Sequence, residues 1–269
     1  MRGAEEVKSR VCVVGGGPAG VAVSTMLKRY SIDVILFEDR EIGGLLNNAW
    51  RVENFPLLSP SSGEILCKKL KDHLSSHNVD VFNEHVVSVR DNMVITDRSE
   101  YSADRVILAT GTRPRRLHDF EVSSNVVYEF RDLPADSKNI AVYGAGDMAF
   151  DSAIKARSRS MGVLQFCRGK HVRAIPALVS EARSSGVDFH SAEPIYHVKS
   201  ENSKLVIETS SASYLVDGLL ICIGRDARLP ELDNCRYEII GDARGEPFRQ
   251  ASIAVGDGVR TAMKIATEW

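Results

Sequence analysis

The sequence predicts an α/β fold made of two related domains, and three observations carry that prediction. First, a glycine-rich turn between a β-rich run and a helical stretch occurs twice, at Gly15-Gly-Gly-Pro-Ala-Gly20 and at Gly144-Ala-Gly-Asp-Met-Ala149. Second, each copy closes with an apolar run that ends in glycine, Val106–Gly111 in the first and Leu219–Gly224 in the second. Third, 269 residues with 43% hydrophobic and 26% charged content suffice for two ordinary domains, each with its own core. A repeat on this scale governs the reading of the whole chain.

The elements follow in order. Arg10-Val-Cys-Val-Val14 is β-rich and leads straight into the first turn. An amphipathic stretch continues to about Tyr30, with Pro18 at an early helical position that needs no N–H. The next apolar run, Val34-Ile-Leu-Phe37, ends at Glu38. In the second copy, Asn139-Ile-Ala-Val-Tyr143 precedes the turn and a helical stretch runs through about Arg159. Gly162-Val-Leu-Gln-Phe-Cys167 then reads as a strand, followed by Arg168. From Arg249 to Thr267 the apolar spacing suits a terminal helix, in which Gly256 and Gly258 are costly unless something packs closely against them.

The residue types in the turns have a chemical reason. The first glycine (Gly15, Gly144) permits the tight turn, and the second (Gly17, Gly146) lets backbone approach a pyrophosphate. The third position, Gly20 or Ala149, must be small so that helix and strand can pack. The N-terminus of the following helix presents unpaired N–H groups and a partial positive charge to phosphate. These are therefore two Rossmann-like, three-layer dinucleotide-binding domains. The ends of the second strands distinguish them. Glu38, 23 residues after Gly15, can accept both hydroxyls of an adenosine ribose. Arg168, 24 residues after Gly144, suits a 2′-phosphate that a carboxylate would repel. The first site is expected to hold an unphosphorylated dinucleotide and the second to prefer NADPH, with NADH as the alternative.

Several classes are disfavoured. A formal net charge of −2 gives no basic excess, so a nucleic-acid partner has no support. No apolar run approaches the roughly 20 residues of a membrane span. Met1-Arg-Gly-Ala-Glu-Glu6 carries acid where a signal peptide is apolar, which points to a cytoplasmic location. Five cysteines, at 12, 67, 167, 222 and 235, fit neither a disulfide framework nor a CxxC motif. His73 and His77 have chelating spacing but no third ligand nearby, so no metal is assigned. Trp269 could stack on a ring or on a partner subunit.

With these residues in view, the chain resembles the low-molecular-weight, thioredoxin reductase-like branch of the pyridine nucleotide-disulfide oxidoreductases, flavoproteins with two dinucleotide-binding domains. Gly15, Gly17, Pro18, Ala19, Gly20 and Glu38 resemble the FAD fingerprint, and Gly43-Gly44 the glycine pair after the second strand. Val52-Glu-Asn-Phe-Pro56, with Asn54, is similar to the family's stretch beside the flavin, and Ala109-Thr110-Gly111 to the element ending the first FAD segment. Gly144, Gly146, Asp147 and Met148 match the NAD(P)H turn, and Gly224 closes that copy. Gly241-Asp242 and Arg249-Gln250-Ala251 resemble the segment that seats the ribityl chain and the flavin pyrimidine. The family's phosphate motif survives as Arg168 and Arg173 within Cys167-Arg-Gly-Lys-His-Val-Arg173.

The resemblance implies a discontinuous FAD domain of residues 1–114 and 229–269, an NAD(P)H domain of residues 115–228, and a homodimer. It also has departures. Neither Tyr128–Ser137 nor Glu41–Ala49, where relatives carry redox cysteine pairs, contains a cysteine, and a thiol relay needs two neighbouring sulfurs. The stretch from Pro230 to Gly241 is short, so part of the C-terminal sheet is expected to be missing or replaced. The expected function is FAD-dependent NAD(P)H oxidation, with hydride passing from NADPH to flavin N5 and on to a separate acceptor, and with no acid–base side chain assigned. Candidate acceptors are a ferredoxin or flavodoxin, a quinone, dioxygen or another small molecule, or a separate dithiol protein. The alternative is a non-catalytic dinucleotide-binding protein or redox sensor.

Overall fold

The structure is a computed structural model that describes residues 10–269, so the acidic start at residues 1–6 lies outside the described residues. Two compact units divide the chain: one holds the residues up to Asn47, Glu53–Arg113 and Asp226–Trp269, the other Asn48–Val52 and Pro114–Arg225. Asn48–Val52 thus falls with the second unit, whereas the sequence reading assigned it to the first domain. There the Trp50 N–H donates to Asp151 at 2.9 Å, and the Lys155 ammonium donates to the Asn48 carbonyl at 3.3 Å.

The first unit begins with β1 (Arg10–Val14), α1 (Pro18–Arg29) and β2 (Asp33–Phe37). It continues with α2 (Gly63–Ser76), β3 (Asp80–Phe82), β4 (Val86–Arg90), β5 (Met93–Thr96), β6 (Glu100–Ser102) and β7 (Arg105–Leu108). β8 (Thr112–Pro114) follows at the boundary. The second unit contains β9 (Val126–Val127), β10 (Asn139–Tyr143), α3 (Asp147–Ser158), β11 (Gly162–Phe166), α4 (Pro176–Ser184) and β12 (Asp188–His190). Three antiparallel strands come next, β13 (Ile195–Glu201), β14 (Lys204–Thr209) and β15 (Ser213–Val216), and then β16 (Gly218–Ile221). After β17 (Arg225–Ala227), the chain returns to the first unit with β18 (Glu231–Asp233), β19 (Tyr237–Ile239) and α5 (Ala251–Glu268).

The two units repeat one topology. Parallel strands run in the order β19-β7-β1-β2-β3 in the first and β9-β16-β10-β11-β12 in the second. Each β-meander, β4–β6 or β13–β15, is inserted between the third strand and the strand that pairs beside the first. Alternation along the central strands builds two cores per unit, as a two-residue period requires. Val11 and Val13 pack towards the helices, while Cys12 and Val14 share a core with Val86, Val89 and Val94 of the meander. Ile140 and Val142 pack with α3 residues, and Ala141 and Tyr143 with the second meander. The shortened stretch before Gly241 does not leave the sheets incomplete. It supplies β18, parallel to β4, and β19, parallel to β7.

Local signals explain the helices. Pro18 opens α1, and Lys28 and Arg29 sit in its last turn, where they complement the helix dipole. The Ser62 hydroxyl caps α2 by accepting the Ile65 N–H at 3.3 Å. α5 lies on α1, and a Cβ at Gly258 would meet the Ala19 carbonyl oxygen at 2.5 Å. Gly256, by contrast, is exposed, with nothing within 4 Å of such a Cβ. Among the described residues, no helix is long and apolar enough to cross a membrane.

The two glycines of α5 are therefore expected to respond oppositely. Gly256→Ala should stabilise the protein by about 0.5–1 kcal/mol through helix propensity, and Gly258→Val should destabilise it by about 1–3 kcal/mol by overpacking. Denaturant unfolding of both variants checks this; equal effects would show that α5 does not depend on its approach to α1.

Candidate functional site

Both glycine-rich turns lie at the carboxyl end of the central strand of their sheet, where the strand order reverses and open α/β sheets place their ligands. In the first, the Gly15 N–H donates to the Phe37 carbonyl at 2.8 Å, and Gly15 has φ +106°, a conformation that favours glycine. A Cβ on Gly15 would strike the Ala109 carbonyl, and one on Gly20 would strike the Gly15 carbonyl. The second turn repeats this: the Gly144 N–H donates to Phe166 at 2.9 Å, and a Cβ there would strike the Cys222 carbonyl. Ala149 takes the third position, fully buried. Gly17 and Gly146, which cap α1 and α3, instead have nothing within 4 Å of an added Cβ. Backbone there is open at a helix N-terminus, as a pyrophosphate requires.

The strand ends carry different chemistry. One Glu38 carboxylate oxygen accepts the Gly16 N–H at 2.7 Å and the other the Arg40 N–H at 2.9 Å. Burial pushes the Glu38 carboxyl above its ordinary value, against those two hydrogen bonds. Asp39, next in sequence, accepts from Arg228 at 2.6 Å and from His85 at 2.8 Å. Burial opposes its ionisation too, but Arg228 and His85 outweigh burial and hold it below the ordinary range. In the second unit, β11 ends at Phe166 as β2 ends at Phe37, so the structural counterpart of Glu38 is Cys167. Arg168 stands one residue farther on and is exposed.

Several residues expected at the first site come together. The Gly43 N–H donates to the Gly16 carbonyl at 2.8 Å, and Gly44 lies beside Gly17. The Asn54 amide reaches Gln250, the residue capping α5, at 2.5 Å. The Thr110 hydroxyl donates to the Arg228 carbonyl, and the Arg228 N–H donates back to Gly111 at 3.0 Å. Gly241, ahead of Asp242, packs against Ala19, and its N–H reaches Asp257 at 3.3 Å. Arg249 donates to the Glu246 carbonyl at 3.0 Å, just before Ala251 opens α5.

At the second site, Asp147 accepts the Ile175 N–H at 2.9 Å, and the Arg173 N–H donates to the Ala145 carbonyl at 2.8 Å. Residues 173–175 therefore fold back over the turn. Met148, in the first turn of α3, packs against the helix-side core, and the Gly224 carbonyl accepts the Arg115 N–H at 3.0 Å. The sequence reading missed Gln165, fully buried in β11, whose amide donates to the Gly144 carbonyl at 3.1 Å. Its signal was a lone amide inside an apolar strand. The Asp39–His85–Arg228 cluster was missed as well, since nothing local links positions so far apart in the chain.

None of the five cysteines is in a disulfide, and they lie on separate segments. Burial pushes Cys12 and Cys222 up to about 12. Cys67 packs beneath Gly43, the Cys167 thiol donates to the Gly169 carbonyl at 3.0 Å, and Cys235 joins the core that contains Cys12. The His73 and His77 rings lie 4.4 Å apart, and among the described residues no group of three potential ligands could hold a metal.

Comparison with known proteins identifies the family and the fold. The model of the family described as "Pyridine nucleotide-disulphide oxidoreductase" matches residues 9–264. The chain is 24% identical, over 304 residues and 96% of each chain, to the "34.2 kDa protein in rubredoxin operon" of Clostridium pasteurianum. It is 27% identical to the "Ferredoxin--NADP reductase" of Ligilactobacillus salivarius over 241 residues, which cover 80% of this chain and 70% of that one. Its fold is similar to the crystal structure of Lactococcus lactis thioredoxin reductase in the FR conformation, with a TM-score of 0.83 and 23% identity, covering 97% of this chain and 100% of that one.

The raised carboxyl of Glu38 has a signed consequence. The ionised form exists above the raised value and is lost as the pH falls through it, sooner than at an ordinary glutamate; if that form accepts ribose hydroxyls, as expected from its position after β2, nucleotide affinity should follow it. Affinity for ADP, followed by calorimetry from about pH 8 down to about pH 4, is expected to show that step. Glu38→Gln should bind more weakly and lack it; a step that persists in the variant belongs to another group.

Proposed function

Because this chain belongs to the pyridine nucleotide-disulphide oxidoreductase family, we propose that it is an FAD-dependent NADPH oxidoreductase serving a separate acceptor without an internal redox disulfide. Membership by itself makes it a pyridine nucleotide-dependent flavin oxidoreductase; the choice of FAD, of NADPH and of a direct route to the acceptor is our reading. The observation that carries it is the duplicated turn. Both copies leave backbone open at a helix N-terminus, yet one strand end offers the Glu38 carboxylate and the other the Arg168 guanidinium.

On this reading Gly15–Gly20, Gly44 and Glu38 hold the ADP half of FAD, with Glu38 accepting the ribose hydroxyls. Asp242 would accept a ribityl hydroxyl. Asn54, Thr110 and Gly111, together with Arg249, Gln250 and Ala251 at the start of α5, would orient the ring, and the helix dipole there favours negative charge on the pyrimidine edge. FAD, when bound, supplies the hydride-accepting N5 and the electron carrier that side chains lack. Gly144, Gly146, Asp147, Met148 and Gly224 would seat the nicotinamide nucleotide, and Arg168 and Arg173 its 2′-phosphate.

The separate positions of the five thiols, and the burial that keeps Cys12 and Cys222 protonated, support a route that bypasses sulfur. The relatives' names include a ferredoxin reductase and a thioredoxin reductase, so membership does not fix the acceptor. A cytoplasmic homodimer completes the proposal.

The deciding experiment is anaerobic addition of NADPH to the purified protein. The flavin band near 450 nm (roughly the usual flavin absorption) is expected to bleach, and an unchanged band overturns the enzyme in favour of a binding protein. FMN in place of FAD would overturn the cofactor assignment. Arg168→Ala should cut the preference for NADPH over NADH roughly ten- to a hundredfold, measured by kcat/KM with each nucleotide. A variant lacking all five cysteines that still binds FAD should keep its NADPH–ferricyanide activity; loss confined to Cys167 or Cys235 variants would restore a thiol relay.

A further inference from the structure

The segment that presents Arg168 is not held by its own strand alone. The Cys167 N–H donates to the His190 carbonyl at 3.1 Å, the Glu193 N–H donates to the Cys167 carbonyl at 3.0 Å, and the Ala192 N–H donates to the Gly169 carbonyl at 3.3 Å. Both chain neighbours of Arg168 are thus bonded to one turn, residues 190–193, which connects β12 to β13. That turn is itself strained, since Ala192 has φ +57°, a left-handed conformation unfavourable for an alanine. Such a conformation persists only where the surroundings over-determine it.

The surroundings that do so converge on Glu193. Its carboxylate accepts from the Thr209 hydroxyl at 2.5 Å, from His190 Nδ1 at 2.9 Å and from the Tyr214 hydroxyl at 3.3 Å. Hydrogen bonding from Thr209 holds the Glu193 carboxyl below its ordinary value, and His190 and Tyr214 add to it. An ionised Glu193 carboxylate can only accept, so Nδ1 is the donor in its contact with His190. The His190 ring stacks on Phe166, the last residue of β11, with centroids 4.7 Å apart, and meets Tyr214 edge-on at 5.5 Å. Its other nitrogen, Nε2, is buried and faces Asp188 at 3.4 Å. One imidazole thereby joins β11, β12, β15 and the turn that holds Cys167 and Gly169.

We propose that Glu193 and His190 are positioning residues for Arg168, and that they set the preference for a 2′-phosphorylated nicotinamide nucleotide. The proposal rests on the assignment of Arg168 to the 2′-phosphate. Bidentate recognition of a phosphate by a guanidinium is sensitive to small displacements, and the turn fixes the backbone on both sides of Arg168. Neither residue needs to touch the nucleotide, so the effect should be confined to the nucleotide that carries the extra phosphate.

The test measures kcat/KM for NADPH and for NADH, with ferricyanide as acceptor, in the holoenzyme and in His190→Ala, Glu193→Gln, His190→Asn and Arg168→Ala. His190→Ala and Glu193→Gln are expected to lower kcat/KM for NADPH roughly tenfold, mainly through KM, while NADH changes less than about twofold. His190→Asn should keep the preference, because its amide can donate from the position of Nδ1. Glu193→Gln retains the shape of the site and guards against loss of folding in the alanine variant. Should Arg168→Ala lower the NADPH preference while His190→Ala and Glu193→Gln do not, or should they weaken both nucleotides equally, the positioning role is overturned. If Arg168→Ala itself leaves the preference unchanged, the 2′-phosphate assignment falls, and this proposal with it.

Discussion

The first unit depends on a close approach of backbones where β1 meets α1. Gly15 lies against the carbonyl of Ala109 after β7, Gly20 against the carbonyl of Gly15, and Gly258 of α5 against that of Ala19. No side chain fits at these contacts, so the central strand, its neighbour and two helices are drawn to one point. The same contacts aim the open end of α1 at the space beyond the sheet. Packing and ligand chemistry therefore meet in one turn: Gly15 and Gly20 let the layers approach, while Gly17 between them leaves the backbone at the start of α1 open.

The second unit repeats the strand-to-turn contact, with Gly144 against the Cys222 carbonyl, and varies what surrounds it. The strand order is the same in both units, and each central strand divides its residues between a helix-side core and a meander-side core. The differences are at the rims. After β2 stands a carboxylate held by two backbone N–H groups, whereas after β11 stands a buried thiol and then an exposed arginine. The outermost strand beside β7 comes from the C-terminal end of the chain, and its counterpart beside β16 from a segment preceding β10. The proposed difference in nucleotide thus rests on the rims, while the frame and the division into two cores are common to both units.

Much of this was legible in the residues themselves. Strands β1 and β10 have the bounds expected from their apolar runs, and the helices after both turns end within a residue of expectation, because short β-branched runs and glycine-rich turns are local signals. The costly Gly258 was recognisable as a packing glycine, while Gly256 gave the same signal without the packing. Contacts over long sequence separations were not legible. Nothing near Asn54 announces Gln250, and nothing near Cys167 announces the turn at 190–193. The short stretch before Gly241 suggested a sheet portion missing or replaced, since a count of residues does not reveal that three-residue strands can still supply an edge to each of two sheets.

That economy at the C-terminal end has a consequence for the order of assembly. β19 pairs with β7, and α5 covers α1, across the whole of the second unit. As the chain leaves the ribosome, the second unit has nearly all its strands in hand while the first still lacks an edge strand and a helix. Val23 and Leu27, and the face of α1 that Gly258 approaches, then have no complete core to enter. Chains tend to fold in units as they emerge. Here the later-encoded domain is the one equipped to fold first, and the earlier one must wait for β19 and α5.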